Sequence, residues 1–155
     1  MRSWRLAKQR SAAEACSGIG ASLFPGRWNR AGERVVYSSA SVALAQLELI
    51  VNANAALVAR YALFELEFGE ELVSEPDQLP RGWERLLAPG WTKLQDIGSA
   101  WYQGQKSAVL RVPSAVVPLE YNYILNAAHP DFSQIRIRGP IDFATDPRLS
   151  RAPGS

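Results

Sequence analysis

The chain has 155 residues, of which 47% are hydrophobic and 21% charged, and its formal net charge is +2. That size and composition suit one folded core and exclude a disordered chain. One cysteine, Cys16, excludes an internal disulfide, and one histidine, His129, leaves too few ligands for the usual Cys/His zinc site, so no metal is expected.

The opening "MRSWRLAKQRSAAEA" lacks the apolar run of a signal peptide, and no 18-residue apolar stretch follows. The expectation is a cytoplasmic protein without a membrane segment. Charge is uneven. Residues 1–34 hold seven Lys/Arg against two Asp/Glu, whereas residues 60–90 hold three against seven. The basic third suits an anionic small molecule, an acidic partner or nucleic acid. A near-neutral total disfavours nucleic acid.

In chain order, Trp4 to Leu6 reads as a short strand and "KQRSAAEACSGIGAS" as a short helix that loosens at its glycines. Residues 18–34, with four glycines and Pro25, read as a long structured loop. "RVVYSS" is a buried strand, and Ser39 or Ser41 caps the helix that follows. That helix runs from Val42 to about Ala56, with Leu44, Leu47 and Val51 on one stripe and Glu48 at its edge, facing a cleft. "ARYALFELEFG" alternates like a half-buried strand, Phe64, Leu66 and Phe68 on one face and Glu65 and Glu67 on the other. Residues 70–92 read as loop and short helix. "TKLQDIGSAWYQGQ" is a helix with Leu94, Ile97 and Trp101 on one surface, and "SAVLRVP" is a strand stopped by Pro113. "SAVVPLEYNYILN" is ambiguous, and "HPDFSQIRIRG" is a turn leading into a strand. Residues 1–149 are expected to form a single domain and 150–155 a flexible tail. Short strands with helices around them give an α+β fold.

Arg27, in "GRWN", is the first candidate for chemistry. A guanidinium presents five donors in a rigid fork that matches phosphate oxygens, at roughly 1.5–3 kcal/mol per charge-assisted bond. Gly26 allows close backbone approach. The other reading of Arg27 is a surface salt bridge beside a buried tryptophan, and Trp28 is either a lid over a base or a core anchor. Glu48 is exposed, paired with Arg60, or set against a sugar. Tyr37 is either a stacking platform or a buried strand tyrosine. Ser114 follows "LRVP", where a hydroxyl can bind phosphate or order a nucleophile. No G-x-S-x-G elbow makes it an acyl nucleophile, and no P-loop or G-x-G-x-x-G motif is present. His129 in "AHPDF" sits in a turn and reads as structural, and Cys16 as a passive small residue.

Ordered blocks carry a resemblance: "WRL" at 4–6, "PGRWN" at 25–29, "VVYSS" at 35–39, "ALAQLE" at 43–48, "SAVLRVPSAVVP" at 107–118, "NYILNAAHPDF" at 122–132 and "FATDPRL" at 143–149. Together they resemble the RES domain family over residues 2–149. These are toxins of bacterial toxin–antitoxin pairs whose antitoxins resemble Xre-type repressors. The resemblance implies a compact ADP-ribosyltransferase-like fold, a small mixed sheet flanked by helices. It implies an enzyme that consumes NAD as a substrate, cleaving the nicotinamide–ribose bond with phosphate or water as acceptor, and no prosthetic group. Protein mono-ADP-ribosylation and a non-enzymatic interaction module are the alternatives. Arg27, Tyr37, Glu48 and Ser114 match the family's functional positions. Trp28, Asn29, Asn122 and Asn126 fall in its shared polar blocks as substrate-binding candidates. The one departure is Pro25, where a second glycine is common. The implied partner is an Xre-like antitoxin that blocks the active site in a hetero-oligomer, with DNA contacted through the antitoxin alone.

Overall fold

The computed structural model describes residues 1–52 and 60–150. Seven strands form one sheet: β1 (Arg2–Lys8), β2 (Val35–Ser39), β3 (Arg60–Glu67), β4 (Val73–Ser74), β5 (Val109–Pro113), β6 (Tyr121–Asn126) and β7 (Arg136–Ala144). Three helices flank it: α1 (Ile19–Leu23), α2 (Val42–Asn52) and α3 (Thr92–Gly104). The strand order is β4-β5-β6-β2-β1-β3-β7, with β4 and β5 parallel and every other neighbour antiparallel. The sheet is therefore mixed and the fold α+β, as the sequence leads one to expect. Among the described residues no helix is long and apolar enough to cross a membrane.

The sheet has a seam. β1 pairs with β3 continuously from Arg2↔Glu67 to Lys8↔Tyr61, and β2 pairs with β6 from Val35↔Asn126 to Ser39↔Asn122. Between β1 and β2 the single pair is Trp4↔Ser39. The seam separates β4-β5-β6-β2 from β1-β3-β7. The alternation of side chains across each strand builds two cores. Val36, Val109, Tyr123 and Leu125 meet Ala62, Phe64 and Leu66 between the two halves. On the opposite face of β2, β5 and β6, Val35, Leu110, Val112 and Ile124 meet Leu94 and Trp101 of α3, with Trp28.

Several expectations change. β1 is longer than Trp4–Leu6, because its pairing with β3 extends it at both ends. The stretch 18–34 is not all loop: α1 forms within it and accommodates Gly20. In α2, Leu44 and Ala45 are the buried residues, whereas Leu47 and Val51 are 42% and 62% exposed. Past its first turn the helix borders a cavity rather than a core, and Ala45, Glu48, Leu49, Val51 and Asn52 line it. Expected helical residues 53–56 lie outside the described residues, as do tail residues 151–155. β3 is buried on both faces over most of its length, and β7 covers its free edge. Its Glu65 is 8% exposed and sits between Arg2 at 3.1 Å and Arg138 at 3.7 Å. The ambiguous "SAVVPLEYNYILN" resolves into a turn followed by β6, and β7 continues past Gly139 to Ala144.

Candidate functional site

A cavity of about 720 Å³ opens between α2, the seam, the "GRWN" loop and residues 84–91. That volume is in the range of sites for cofactor-sized molecules. Arg5, Arg27, Tyr37, Glu48 and Asn122 all line it.

Glu48 is held from three sides. Its Oε1 accepts hydrogen bonds from Ser114 Oγ at 2.7 Å and from Asn122 Nδ2 at 2.6 Å. Its Oε2 accepts one from Asn52 Nδ2 at 3.1 Å. Ser39 Oγ donates to Asn122 Oδ1 at 2.8 Å, which turns the Asn122 amide so that its NH₂ faces Glu48. Ser114 is fully buried, and its Oγ also accepts the backbone N–H groups of Val116 and Val117 at 3.0 Å each. With one donor and both lone pairs used, that hydroxyl has no capacity left for a phosphate. The structure thus replaces the phosphate-binding reading of Ser114 with a positioning one. Arg60, considered as a partner for Glu48, pairs with Asp142 instead.

The "GRWN" loop is a closed hydrogen-bonded unit. Asn29 Oδ1 accepts from Gly26 N at 2.8 Å and from the Tyr37 hydroxyl at 2.7 Å. Asn29 Nδ2 donates to the carbonyls of Ala21 and Arg30. The Tyr37 hydroxyl accepts from Trp28 N at 3.1 Å. Gln95 of α3 donates to the Gly26 carbonyl at 3.0 Å. The glycine is required here, because a Cβ on residue 26 would stand 2.8 Å from the Tyr37 hydroxyl. Trp28 is 4% exposed and packs in the α3 core, its ring 6.0 Å from that of Trp83, so it is a core anchor that also borders the cavity. Burial drives the Tyr37 phenol well above its ordinary value. Its hydroxyl is tied into the loop, and the residue also lines the cavity.

Arg27 pairs with no carboxylate among the described residues. Its Nη1 donates to the carbonyls of Trp83 and Leu86, at 3.3 and 3.0 Å, and its guanidinium lies 5.1 Å from the centre of the Trp91 ring. Partial burial lowers its pKa, and the field of Glu48 raises it. The salt-bridge reading of Arg27 is therefore replaced: it is a cation at the cavity wall that feels the field of Glu48 but has no carboxylate within ion-pair distance among the described residues.

Besides Ser114, which meets the cavity only through Glu48, two sequence candidates stand outside the cavity wall. Asn29 is completely buried, with all four hydrogen bonds spent on the loop. Asn126 is also completely buried, donating to Tyr102 O and accepting from Ala128 N. It lies four residues along β6 from Asn122, about 13 Å away. Both read as scaffold rather than substrate contacts. His129 Nδ1 accepts from Asp131 N at 3.0 Å and its Nε2 faces the Gln105 carbonyl at 3.0 Å. That geometry caps the 3₁₀ turn at Pro130–Gln134, in agreement with a structural role. Among the described residues no cluster of His, Cys, Asp or Glu suits a metal.

Comparison with known proteins decides the family. The RES domain matches residues 2–148. The chain belongs to the RES domain family. A Sphingobium protein named Prs ADP-ribosylating toxin is 39% identical over 96% of each chain, and the Yersinia enterocolitica Toxin Res is 35% identical over 94% of this chain and 97% of its own. The fold also matches the Mycobacterium tuberculosis MbcT–MbcA toxin–antitoxin complex, with a TM-score of 0.71 at 22% identity, over 96% of this chain and 86% of that one. Within this RES domain the functional candidate that sequence reasoning passed over is Arg5. Its signal was present: β1 alternation puts Arg5 on the inward face with Ser3 and Ala7, a cation among small residues.

Proposed function

We propose that this RES domain is the toxin of a toxin–antitoxin pair and that it cleaves the nicotinamide–ribose bond of NAD. The observation that carries this reading is the Glu48 carboxylate, fixed by Ser114 and Asn122 at the wall of a cavity that also presents the unpaired guanidinium of Arg27. In the proposed reaction Arg27 holds the diphosphate and the Tyr37 ring packs on nicotinamide. The glycosidic C–N bond breaks and its electron pair stays on the ring nitrogen, so nicotinamide leaves neutral and needs no proton from an acid. Positive charge develops at the anomeric carbon, where the Glu48 carboxylate stabilises it. An oxygen of inorganic phosphate then bonds to that carbon and gives ADP-ribose 1″-phosphate. With water as acceptor the product is ADP-ribose, and one proton passes to solvent.

A second reading rests on the 39% identical relative named as a Prs ADP-ribosylating toxin: the acceptor is a side chain of a protein target. The partner in either case is an antitoxin of the Xre-like kind that covers the cavity and carries the DNA contacts, in a cytoplasmic hetero-oligomer. The test is nicotinamide release from NAD by purified, antitoxin-free protein, followed by proton and phosphorus NMR with and without phosphate. Phosphate-dependent release with a new phosphomonoester signal is expected, and Glu48→Gln abolishes it while retaining NAD binding. Equal turnover in Glu48→Gln removes the assignment of Glu48.

A further inference from the structure

Among the described residues two carboxylates line the cavity, Glu48 and Glu84. Glu48 spends its oxygens on Ser114, Asn122 and Asn52. Glu84 is the reverse case. Its side chain is 33% exposed, and its partner among the described residues is the adjacent Arg85, whose Nε stands 3.9 Å away on a side chain that is 89% exposed. An ion pair that long and that wet holds little. Both oxygens of Glu84 are left able to accept hydrogen bonds. Its backbone, by contrast, is fixed. Glu84 lies in the 3₁₀ turn Trp83–Arg85, and Trp83 packs on the α3 core with its ring 6.0 Å from that of Trp28. The carbonyls of Trp83 before it and Leu86 after it both accept from Arg27 Nη1, and Trp91 Nε1 donates to the same Leu86 carbonyl at 3.0 Å.

That connectivity sets an order along the cavity. Glu48 sits on α2 at the nicotinamide ribose, and Arg27 takes the diphosphate. Glu84 belongs to the wall that Arg27 is bonded to. A dinucleotide carries a second ribose on the far side of its diphosphate, with two neighbouring hydroxyls. Leu86, Leu87 and Trp91 line the cavity beside Glu84 and give apolar surface for the base that this ribose bears. A carboxylate with two free oxygens matches such a diol, each oxygen accepting from one hydroxyl, and it repels a phosphate set at the same place. We propose that Glu84 is the specificity-determining residue of the adenosine end: its carboxylate takes the two ribose hydroxyls there and rejects a dinucleotide phosphorylated at the 2′ position. This inference rests on the reading of the cavity as an NAD site and adds which dinucleotide the site takes.

The test compares antitoxin-free wild type and Glu84→Gln in two assays. Calorimetry measures binding of ADP-ribose and of ADP-ribose 2′-phosphate, and NMR follows nicotinamide release from NAD and from NADP. Wild type is expected to favour the unphosphorylated member of each pair by at least about tenfold. Glu84→Gln keeps the shape and removes the charge. The preference should shrink by about tenfold or more, with weaker ADP-ribose binding and with Arg85 left to meet the 2′-phosphate. The urea midpoint should stay in place, since the side chain is partly exposed and outside both cores. An equal preference in the two proteins overturns the proposal, as does a wild type that takes both ligands alike. If NAD is cleaved in either case, the role of Glu84 falls and the cleavage reading stands. Discrimination through Glu84 in calorimetry, without nicotinamide release, keeps the adenosine subsite and removes the cleavage reading. No binding of either ligand and no release overturns both.

Discussion

Ser114→Ala separates positioning of the carboxylate from simple support of a turn. The wild-type hydroxyl donates to Glu48 and accepts two backbone N–H groups, all in a residue with no exposure. A hydrogen bond to a charged group is worth roughly 1.5–3 kcal/mol, and each buried orphaned donor costs roughly 1–3. Water entering from the cavity re-satisfies part of this, so the expected loss of stability is about 2–4 kcal/mol, measured by urea unfolding. Glu48 then keeps Asn122 and Asn52 but loses the contact that fixes its Oε1 from the β5 side. The expected fall in kcat for nicotinamide release is about 10- to 100-fold with KM for NAD little changed, the pattern of a contact that matters at the transition state. A double-mutant cycle on stability with Glu48→Ala isolates the pair and should give a coupling of about 1.5–3 kcal/mol. Additive stability effects, or a destabilised Ser114→Ala with unchanged kcat, would refute the reasoning: Ser114 would then hold only its own turn.

Two further substitutions probe the loop that carries Arg27. Gly98→Ala should destabilise although alanine gains about 1 kcal/mol of helix propensity, because a Cβ there would overlap the Trp28 carbonyl; overpacking of about 1–3 kcal/mol, with a shifted Arg27 and weaker NAD binding, is expected by urea unfolding and calorimetry. Tyr37→Phe should change the pH dependence of stability. The raised folded pKa of Tyr37 gives a contribution that is full below about 10, the unfolded tyrosine value, and is lost as pH climbs toward the folded one. Wild-type unfolding free energy should therefore fall above pH 10 more steeply than that of Tyr37→Phe, by up to about 1.4 kcal/mol per pH unit, and parallel profiles would contradict it.

Much of the fold is legible in the chain, for reasons that differ by element. β2 and β5 are short, β-branched and bounded by turn residues, so local pattern and tertiary context agree. α2 is misread at Leu47 and Val51 because periodicity finds a helix but does not say that Leu47 meets solvent and Val51 the cavity in place of a core. β3 looks half-buried because its glutamates alternate with apolar residues, and only the position of β7 and two arginines explains how Glu65 is covered. In the site, Arg27, Tyr37, Glu48 and Asn122 do converge on one cavity, but only Arg27 stood out by its own loop chemistry, and the resemblance singled out the others. Asn29 and Asn126, buried and away from the cavity wall, show the limit of motif reasoning. A residue kept for its hydrogen bonds to backbone looks the same in sequence as one kept for ligand. Arg5 was missed for the converse reason, since a lone cation in a strand acquires meaning only when its missing carboxylate is seen.

The single backbone pair between β1 and β2 has a consequence for how this protein comes apart. Cooperative unfolding follows contiguous hydrogen-bonded ladders, and here the ladder is almost cut in two. Amide protons within β1–β3 and within β2–β6 should exchange with deuterium in two separate groups, each sharing one opening free energy. Any substrate or partner chain that bridges the seam would merge them. Occupancy of the cavity could then be read as two exchange rates becoming one, without following a single bond of the reaction.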